Sequence, residues 1–561
     1  MSVTTAGEAR PANQTRMVVA ASAIGTAFEW YDFFIFGTLA AIMAKQFTGG
    51  SDTAGFIFAL GAFAAGFFVR PFGALFFGRL GDQIGRKAAF LITITLMGLA
   101  TIAIGLLPTA AQIGSTAAIL LVLMRVIQGF ALGGEYGGAA IYVAEHAEDH
   151  KRGYLTSWIQ TSAAFGLVGA LAVILVTRTL MGEERFADWG WRIPFLLSAL
   201  LLVISLYIRM QLEESPEFQR MKEEEGISKA PYKEAFGRWP NLRLVFIALF
   251  GVMLAQGAVW YAGHFYAQFF LEKVLKVPAA TVNLLLIAVV LVSAALYVFF
   301  GWLSDRVGRK PVMLFGMILF VLSVFPGFHL MTRAANPALA EASERAPVRV
   351  FADPQDCTVQ FDPLGRRKPV TGCDMLTKAL TDAGVPYRRV DPELVGGTAS
   401  GGATPIRHDA YAQAGRFVAP AVAETSGAAS TSADRLTATR AGVASMLTNA
   451  GYPAAADPER INLPLVFAIL LVFIVSATAV YGPQAAALVE LFPTRVRYTA
   501  LSLPYHIGTG WVGGFLPFTA FAMVAASGDL YFGLWYPVVF TGISIVTMLF
   551  LSPETRGRRL S

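Results

Sequence analysis

Twelve stretches of this chain are apolar over about the twenty residues that an α-helix needs to cross a bilayer. They are 17–44, 54–78, 88–108, 117–145, 154–180, 191–209, 244–271, 281–303, 311–333, 462–490, 498–526 and 535–552. Inside hydrocarbon no water satisfies exposed backbone groups, so each stretch must be a helix that hydrogen-bonds to itself. The expectation is an all-α membrane protein of twelve transmembrane helices, with both termini on one side. Composition agrees, at 55% apolar and 15% charged residues, against about 45–50% and 25% in soluble domains. The net charge of +6 then belongs to loops and not to a nucleic-acid-binding face. The first stretch follows the polar residues 1–16 and outruns a signal-peptide core without a cleavage pattern, so it reads as a retained helix.

Charge sets the orientation. The short even-numbered junctions are basic: Arg79, Arg86 and Lys87; Lys151 and Arg152; Arg306, Arg309 and Lys310; Arg495 and Arg497. Junction 109–116, on the other side, has no Lys or Arg. Lys and Arg accumulate in cytoplasmic loops, which predicts both termini in the cytoplasm. The Arg-rich 334–461 segment is too long to carry a vote, because loops beyond about 60 residues escape the rule.

An internal repeat divides the chain. Gly78-Arg-Leu-Gly-Asp82-Gln-Ile-Gly85-Arg86-Lys87 follows the second span, and Gly301-Trp-Leu-Ser-Asp305-Arg-Val-Gly308-Arg309-Lys310 follows the eighth. A second pair agrees with the first: Glu145, Arg152 and Ser157 after the fourth span match Glu490, Arg497 and Ser502 after the tenth. Asp82 to Glu145 is 63 residues and Asp305 to Glu490 is 185, an excess of 122. The excess matches 334–461 and places one extracytoplasmic insertion between helices 9 and 10. The domains are therefore 1–209, a six-helix half; 210–243, a cytoplasmic linker; 244–333 with 462–561, the second half; and 334–461, the insertion.

The duplicated loop resembles the signature of the major facilitator superfamily. More narrowly, Glu29-Trp30-Tyr31-Asp32, Arg70-Pro71, Arg125-x-x-Gln128-Gly129-x-x-x-Gly133-Gly134-Glu135 and Glu490-Leu-Phe-Pro-Thr-Arg-Val-Arg-Tyr498 resemble the metabolite:proton symporter family. That family includes permeases for 2-oxoglutarate, citrate, shikimate, and proline or betaine. The resemblance implies uptake by alternating access of a small organic anion together with protons. It also implies a multi-pass protein of the bacterial inner membrane, driven by the proton gradient without a cofactor and functional as a monomer.

Ionisable side chains at membrane depth are expensive and are functional candidates by default. Glu29 and Asp32 are three apart on one helix face, roughly 18 and 22 Å into the membrane by helix rise. Either is suited to carry a proton, against the alternative of a permanently satisfied charge pair. Arg125, about 12 Å below the outer surface, is the expected partner of Asp32, and Glu135, about 27 Å deep, a second proton site or gate. Arg125 and Gln128 are candidates for binding a substrate carboxylate, with Tyr31, Tyr505 and the helix-7 stripe Gln256, Trp260, His264 and Gln268. His264 is read equally well as a packing residue. Asp82, Arg86, Asp305, Arg309 and Arg70 are assigned to gating. The glycines Gly129, Gly133, Gly134, Gly137 and Gly138 are expected to pack helices closely and not to touch substrate.

In the insertion, 397–436 has the composition of a flexible linker. The 349–393 region alternates apolar stretches with turns and holds Cys357 and Cys373, the two cysteines of the chain. Outside the cytoplasm they are expected to form a disulfide, worth about 3 kcal/mol in the chain-entropy model. No metal site is expected, since two Cys without His or Cys partners are a poor ligand set. An enzyme is not indicated. ATP-driven transport is disfavoured because no G-x-x-x-x-G-K-[ST] loop is present. The alternative substrate is a zwitterionic osmolyte, betaine or proline; the short stretch after helix 12, 552–561, argues against it, because osmosensing relatives carry a long charged helical tail. Drug efflux is less expected, since 165–169 lacks the Gly-Pro pattern of efflux antiporters.

Overall fold

A computed structural model describes residues 12–48, 52–211, 213–224, 226–353, 356–357, 371–390, 410–421 and 432–560. The polar residues 1–11 and most of the linker-like 397–436 region lie outside the described residues.

Eleven helices among the described residues are long and apolar enough to cross a membrane: Met17–Thr38, Arg86–Leu106, Thr116–His146, Arg152–Met181, Arg192–Met210, Trp239–Val274, Ala279–Val307, Arg309–Ala335, Leu463–Leu491, Thr494–Ser527 and Phe532–Phe550. Each covers one of the apolar stretches. The 33-residue helix Asp52–Ile84 occupies the remaining stretch and carries Arg70, Arg79 and Asp82 in its second half. The helical part is an all-α membrane protein. Within each half, helices pack through small residues. Asp52–Ile84 lies along Thr116–His146, where a Cβ on Gly129 would strike the Gly66 backbone and one on Gly133 the Arg70 and Ala74 backbone. The glycine series therefore does pack helices, with Gly137 and Gly138 packed on Tyr498 of the other half. Between halves, Ala279–Val307 packs on Arg152–Met181, and Arg497–His506 packs on Asp52–Ile84.

Between Arg309–Ala335 and Leu463–Tyr481 stands a separate α/β unit. Its four-stranded sheet has the order β2-β1-β3-β4, with β1 Val348–Phe351, β2 Tyr387–Val390, β3 Tyr411–Ala414 and β4 Phe417–Pro420. Strand β2 runs parallel to β1, and β3 and β4 run antiparallel. Helices Gly372–Ala383 and Ser432–Asn449 accompany the sheet, and Cys357 is disulfide-bonded to Cys373. Two sequence expectations need correcting here. The chain is not all-α throughout, and the β3–β4 hairpin lies inside the region read as flexible linker. Alternating Ala412 and Ala414, with Ala419 opposite, are buried in the unit's core; alanines of that size pack a tight strand face while looking compositionally like linker.

The unit is held by the second half. Tyr387 donates its N–H to the Gly528 carbonyl at 2.9 Å and its hydroxyl to the Ala525 carbonyl at 2.7 Å. Lys276 reaches the Asp382 carbonyl at 2.8 Å, and Asn336 reaches the Leu275 carbonyl at 3.0 Å.

The packing generates a paired prediction. Gly133→Val should lower the thermal unfolding midpoint and destabilise by about 1–3 kcal/mol or more, because backbone of the neighbouring helix blocks the new side chain. Gly442→Val, with open space around its Cβ position, should stay within about 0.5 kcal/mol of wild type. Thermal unfolding of the detergent-solubilised variants measures both, and equal midpoints would contradict the packing.

Candidate functional site

One end of the bundle is closed by the two repeated loops, each working on the opposite half. The carboxylate of Asp82 accepts the backbone N–H groups of Tyr498 at 3.2 Å and Thr499 at 2.8 Å. That of Asp305 accepts those of Gly153 at 2.9 Å and Tyr154 at 2.7 Å. Each acid thus sits on the first turn of a helix belonging to the other half, Arg497–His506 or Arg152–Met181, where unpaired N–H groups and the helix dipole favour negative charge. The first glycine of each motif permits the approach: a Cβ on Gly78 would meet Thr499, and one on Gly301 would meet Ser157 and the Gly153 carbonyl. The later glycines, Gly85 and Gly308, have φ of 112° and 110°, a conformation that glycine adopts without steric cost.

Buried ion pairs surround these caps. Arg86 binds Asp82 at 2.8 Å and the Thr494 carbonyl at 2.7 Å, and Arg309 binds Asp305 at 2.6 Å and Glu490 at 3.1 Å. Glu145 takes Arg497 at 2.7 Å, and Glu490 takes Arg152 at 2.9 Å. A further symmetric pair escaped the sequence reading. Glu214 accepts the N–H of Arg86, and Glu554 that of Arg309, both at 3.0 Å. The following hydroxyls, Ser215 and Thr555, donate to Glu145 and Glu490. Its signal was present as an acid-hydroxyl dipeptide after the last helix of each half.

Deeper in the bundle, Glu29, Asp32, Arg70, Arg125, Gln128, Glu135 and Gln256 are all buried. The two acids of the first helix face Arg192–Met210. Asp32 accepts a hydrogen bond from Ser198 at 2.5 Å, and Glu29 pairs with Arg209 at 3.2 Å. Arg209 also reaches Glu135 at 3.4 Å and lies 3.6 Å over the Phe90 ring. Arg125 was the expected partner of Asp32, whose hydrogen bond comes from Ser198; the cation that Glu29 meets is Arg209. Arg125 donates to Gln128 at 2.8 Å and lies 4.2 Å over the Phe36 ring, and Gln128 passes the chain to Thr101 at 2.7 Å. Arg209 was not among the sequence candidates; it stands in the last turn of Arg192–Met210, where basic residues are ordinary.

At the junction of the halves is a layer of tyrosines and amides. Tyr136 stacks on Tyr505 at 3.6 Å, Tyr505 and Tyr481 share a hydrogen bond of 3.0 Å, and Gln160 and Gln484 both donate to Tyr136. Trp260 donates to Tyr297 at 2.8 Å. Tyr505 was a sequence candidate; Tyr136, Gln160, Tyr297, Tyr481 and Gln484 were not, since nothing in their local pattern marks the face that meets the other half.

Other candidates lie elsewhere. Tyr31 donates to the Pro194 carbonyl at 2.9 Å and packs with Ile35, Trp191 and Phe195. Of the helix-7 stripe, Gln256 is buried, Trp260 meets His264 and Tyr297, and Gln268 donates to Glu272. Wide π-helical turns at Ala262–Tyr266 and Phe270–Val274 shift the four-residue register. His264 stacks on Trp260 with Nδ1 2.9 Å from that residue's carbonyl, which suits packing. Arg70 lies apart from the loop ion pairs, against the rings of Phe33 and Phe67. Among the described residues, no group of three or more His, Cys, Asp or Glu is placed to hold a metal ion.

Comparison with known proteins gives the same outline. The family model "Sugar (and other) transporter" matches residues 17–235, and "Major Facilitator Superfamily" matches 248–340. The proline/betaine transporter of Salmonella typhimurium is 38% identical over 327 residues, which is 56% of this chain and 65% of that protein's length. The shikimate transporter of Escherichia coli is 35% identical over 320 residues, covering 56% of this chain and 72% of that one. Among solved structures, the proton:xylose symporter XylE bound to 6-bromo-6-deoxy-D-glucose superposes with a TM-score of 0.60 at 15% identity, over 98% of both chains.

The loop geometry generates a second prediction. A charge-assisted hydrogen bond contributes about 1.5–3 kcal/mol, so Asp305→Asn should loosen the contact between halves about tenfold or more. Maleimide labelling of Ser157→Cys, at that contact, should accelerate accordingly. An unchanged rate would show that Asp305 does not hold the halves together.

Proposed function

The chain belongs to the major facilitator superfamily, and on that premise we propose that it is a secondary active transporter importing a small organic carboxylate together with protons by alternating access. The observation that carries the reading is the pairing of two features. Buried acids and arginines lie at membrane depth, and one end is closed by contacts made between halves, which can break as the halves rock.

In this reading Asp52–Ile84 is the twelfth span, the closed end faces the cytoplasm with both termini, and the α/β unit stands on the outer face of the bacterial inner membrane. Residues 1–209 form one half and 244–333 with 462–561 the other, joined by 210–243, with 334–461 as the insertion. The carrier works as a monomer without a cofactor. Glu29 and Glu135 share the single cation Arg209, so two acids balance one positive charge, and a bound proton neutralises the excess. Asp32 is held by the Ser198 hydroxyl, an arrangement that lets it exchange a proton with solvent when the outer side opens. Arg125 and Gln128 supply donors to the substrate, and the Tyr136, Tyr481 and Tyr505 layer forms the wall between halves.

Uptake of a zwitterion such as betaine or proline is the second reading. It is favoured by the 38% identity to a protein named a proline/betaine transporter.

Uptake into proteoliposomes separates these readings. Labelled succinate, citrate, shikimate, betaine and proline are offered with and without an inward-directed proton gradient. An acid should accumulate at least tenfold faster with the gradient, and Asp32→Asn should lose that stimulation. Uptake of betaine or proline alone would establish the second reading, and uptake indifferent to the gradient would remove proton coupling.

A further inference from the structure

Arg70 is the buried charge that the closure and the proton sites leave over. Its side chain is 3% exposed. Arg209, the cation of the acid cluster, has two carboxylates. Among the described residues Arg70 has no ion pair, and its Nε and Nη2 have no hydrogen-bond partner. What surrounds it is aromatic: the guanidinium carbon lies 4.1 Å from the Phe67 ring centroid and 4.7 Å from that of Phe33. The two rings are themselves 5.4 Å apart and nearly perpendicular, so they form a corner that seats the planar group and limits where its donor edge can turn.

That edge is at the boundary between halves. Arg70 is on Asp52–Ile84 of the first half, and its polar neighbour is Tyr261 of the second, with Tyr481 and Tyr505 close enough to act on it electrostatically. Gly510 of the second half also approaches, since a Cβ there would lie 4.0 Å from Arg70 Cδ. A guanidinium carries five donors in a rigid fork that fits a carboxylate with two parallel bonds. Keeping such a fork buried with open donors is costly unless a ligand fills it.

We propose that Arg70 is the anchor for the carboxylate of the transported molecule, its open donors taking both carboxylate oxygens while Tyr261 and the Tyr481–Tyr505 pair approach from the other half. The assignment rests on the transporter reading above and names its binding chemistry. It moves Arg70 from the gate to the binding site. It also gives the substrate a mechanical part, because an anion held between residues of both halves draws them together.

Purified full-length protein in detergent tests the anchor by thermal unfolding with succinate, citrate, shikimate, betaine or xylose added singly. At least one carboxylate-bearing probe should raise the wild-type midpoint, and xylose should not. Arg70→Gln should abolish the rise, and Arg70→Lys, which keeps the charge without the fork, should restore part of it. In uptake, Arg70→Gln should raise KM about a hundredfold while folding normally. Without any ligand, Arg70→Met should unfold at or above the wild-type midpoint, since it removes an unpaired buried charge; a residue that served only structure would lower it.

A wild type that none of the four carboxylate-bearing probes stabilises, an Arg70→Gln protein with unchanged KM, or an Arg70→Met protein that is destabilised without ligand would each overturn the assignment. The two readings fail separately. Acids that bind through Arg70 without gradient-driven uptake would leave the anchor standing and remove the transport cycle, whereas uptake with unchanged KM in Arg70→Gln would do the reverse.

Discussion

The structure is organised around a carboxylate from one half seated on the first turn of a helix from the other. Asp82 on the N–H groups of Tyr498 and Thr499, and Asp305 on those of Gly153 and Tyr154, satisfy backbone donors that a buried helix end cannot leave open. The arrangement is specific in a way that an ion pair alone is not. Two arginines could exchange acids, but a helix has one N-terminus, so the register between halves is set at these two points. The pairs Arg86–Asp82, Arg309–Glu490, Arg497–Glu145 and Arg152–Glu490 then neutralise what has been buried. Buried ion pairs add little net stability when intact and cost much when one partner is removed. They suit a joint that, on the alternating-access reading, is tight in one state and absent in another.

Much of this was legible in the sequence because a duplicated chain contains its own internal control. The spacing of Asp82 from Glu145 and of Asp305 from Glu490 located the insertion without any structural information. The closely spaced glycines of the fourth helix could be assigned to packing, since small residues are what lets helix backbones approach in lipid. The acids of the first helix stood out because charge at membrane depth is rare.

What could not be read has a common cause. Partnership between helices is set by rotation about each axis, and one sequence carries no record of it. Arg209 stands at a helix end, where arginine is ordinary, and nothing local distinguishes a residue that reaches inward to Glu29 from one that reaches out to lipid headgroups. Tyr136, Gln160, Tyr297, and the pair Tyr481 and Gln484 come from four different membrane helices and form a layer only once the halves are assembled. Helix 7 contains π-helical turns at Ala262–Tyr266 and Phe270–Val274, and hydrophobic periodicity does not reveal an extra residue in one turn. The β3–β4 hairpin was hidden by alanine, which fills a tight strand face and a flexible linker equally well.

The α/β unit takes its hydrogen bonds from the second half, through Gly528, Ala525, Leu275 and Lys276. Its sheet therefore rides on one side of the central joint. Any rotation between halves, small at the pivot, is magnified with distance from it, so the far strands trace a longer arc than the helices do. The membrane part works at the scale of a hydrogen bond. On the alternating-access reading proposed above, the appended sheet turns that into a displacement of aqueous surface, and a change of state within the bundle becomes a change in where four strands stand.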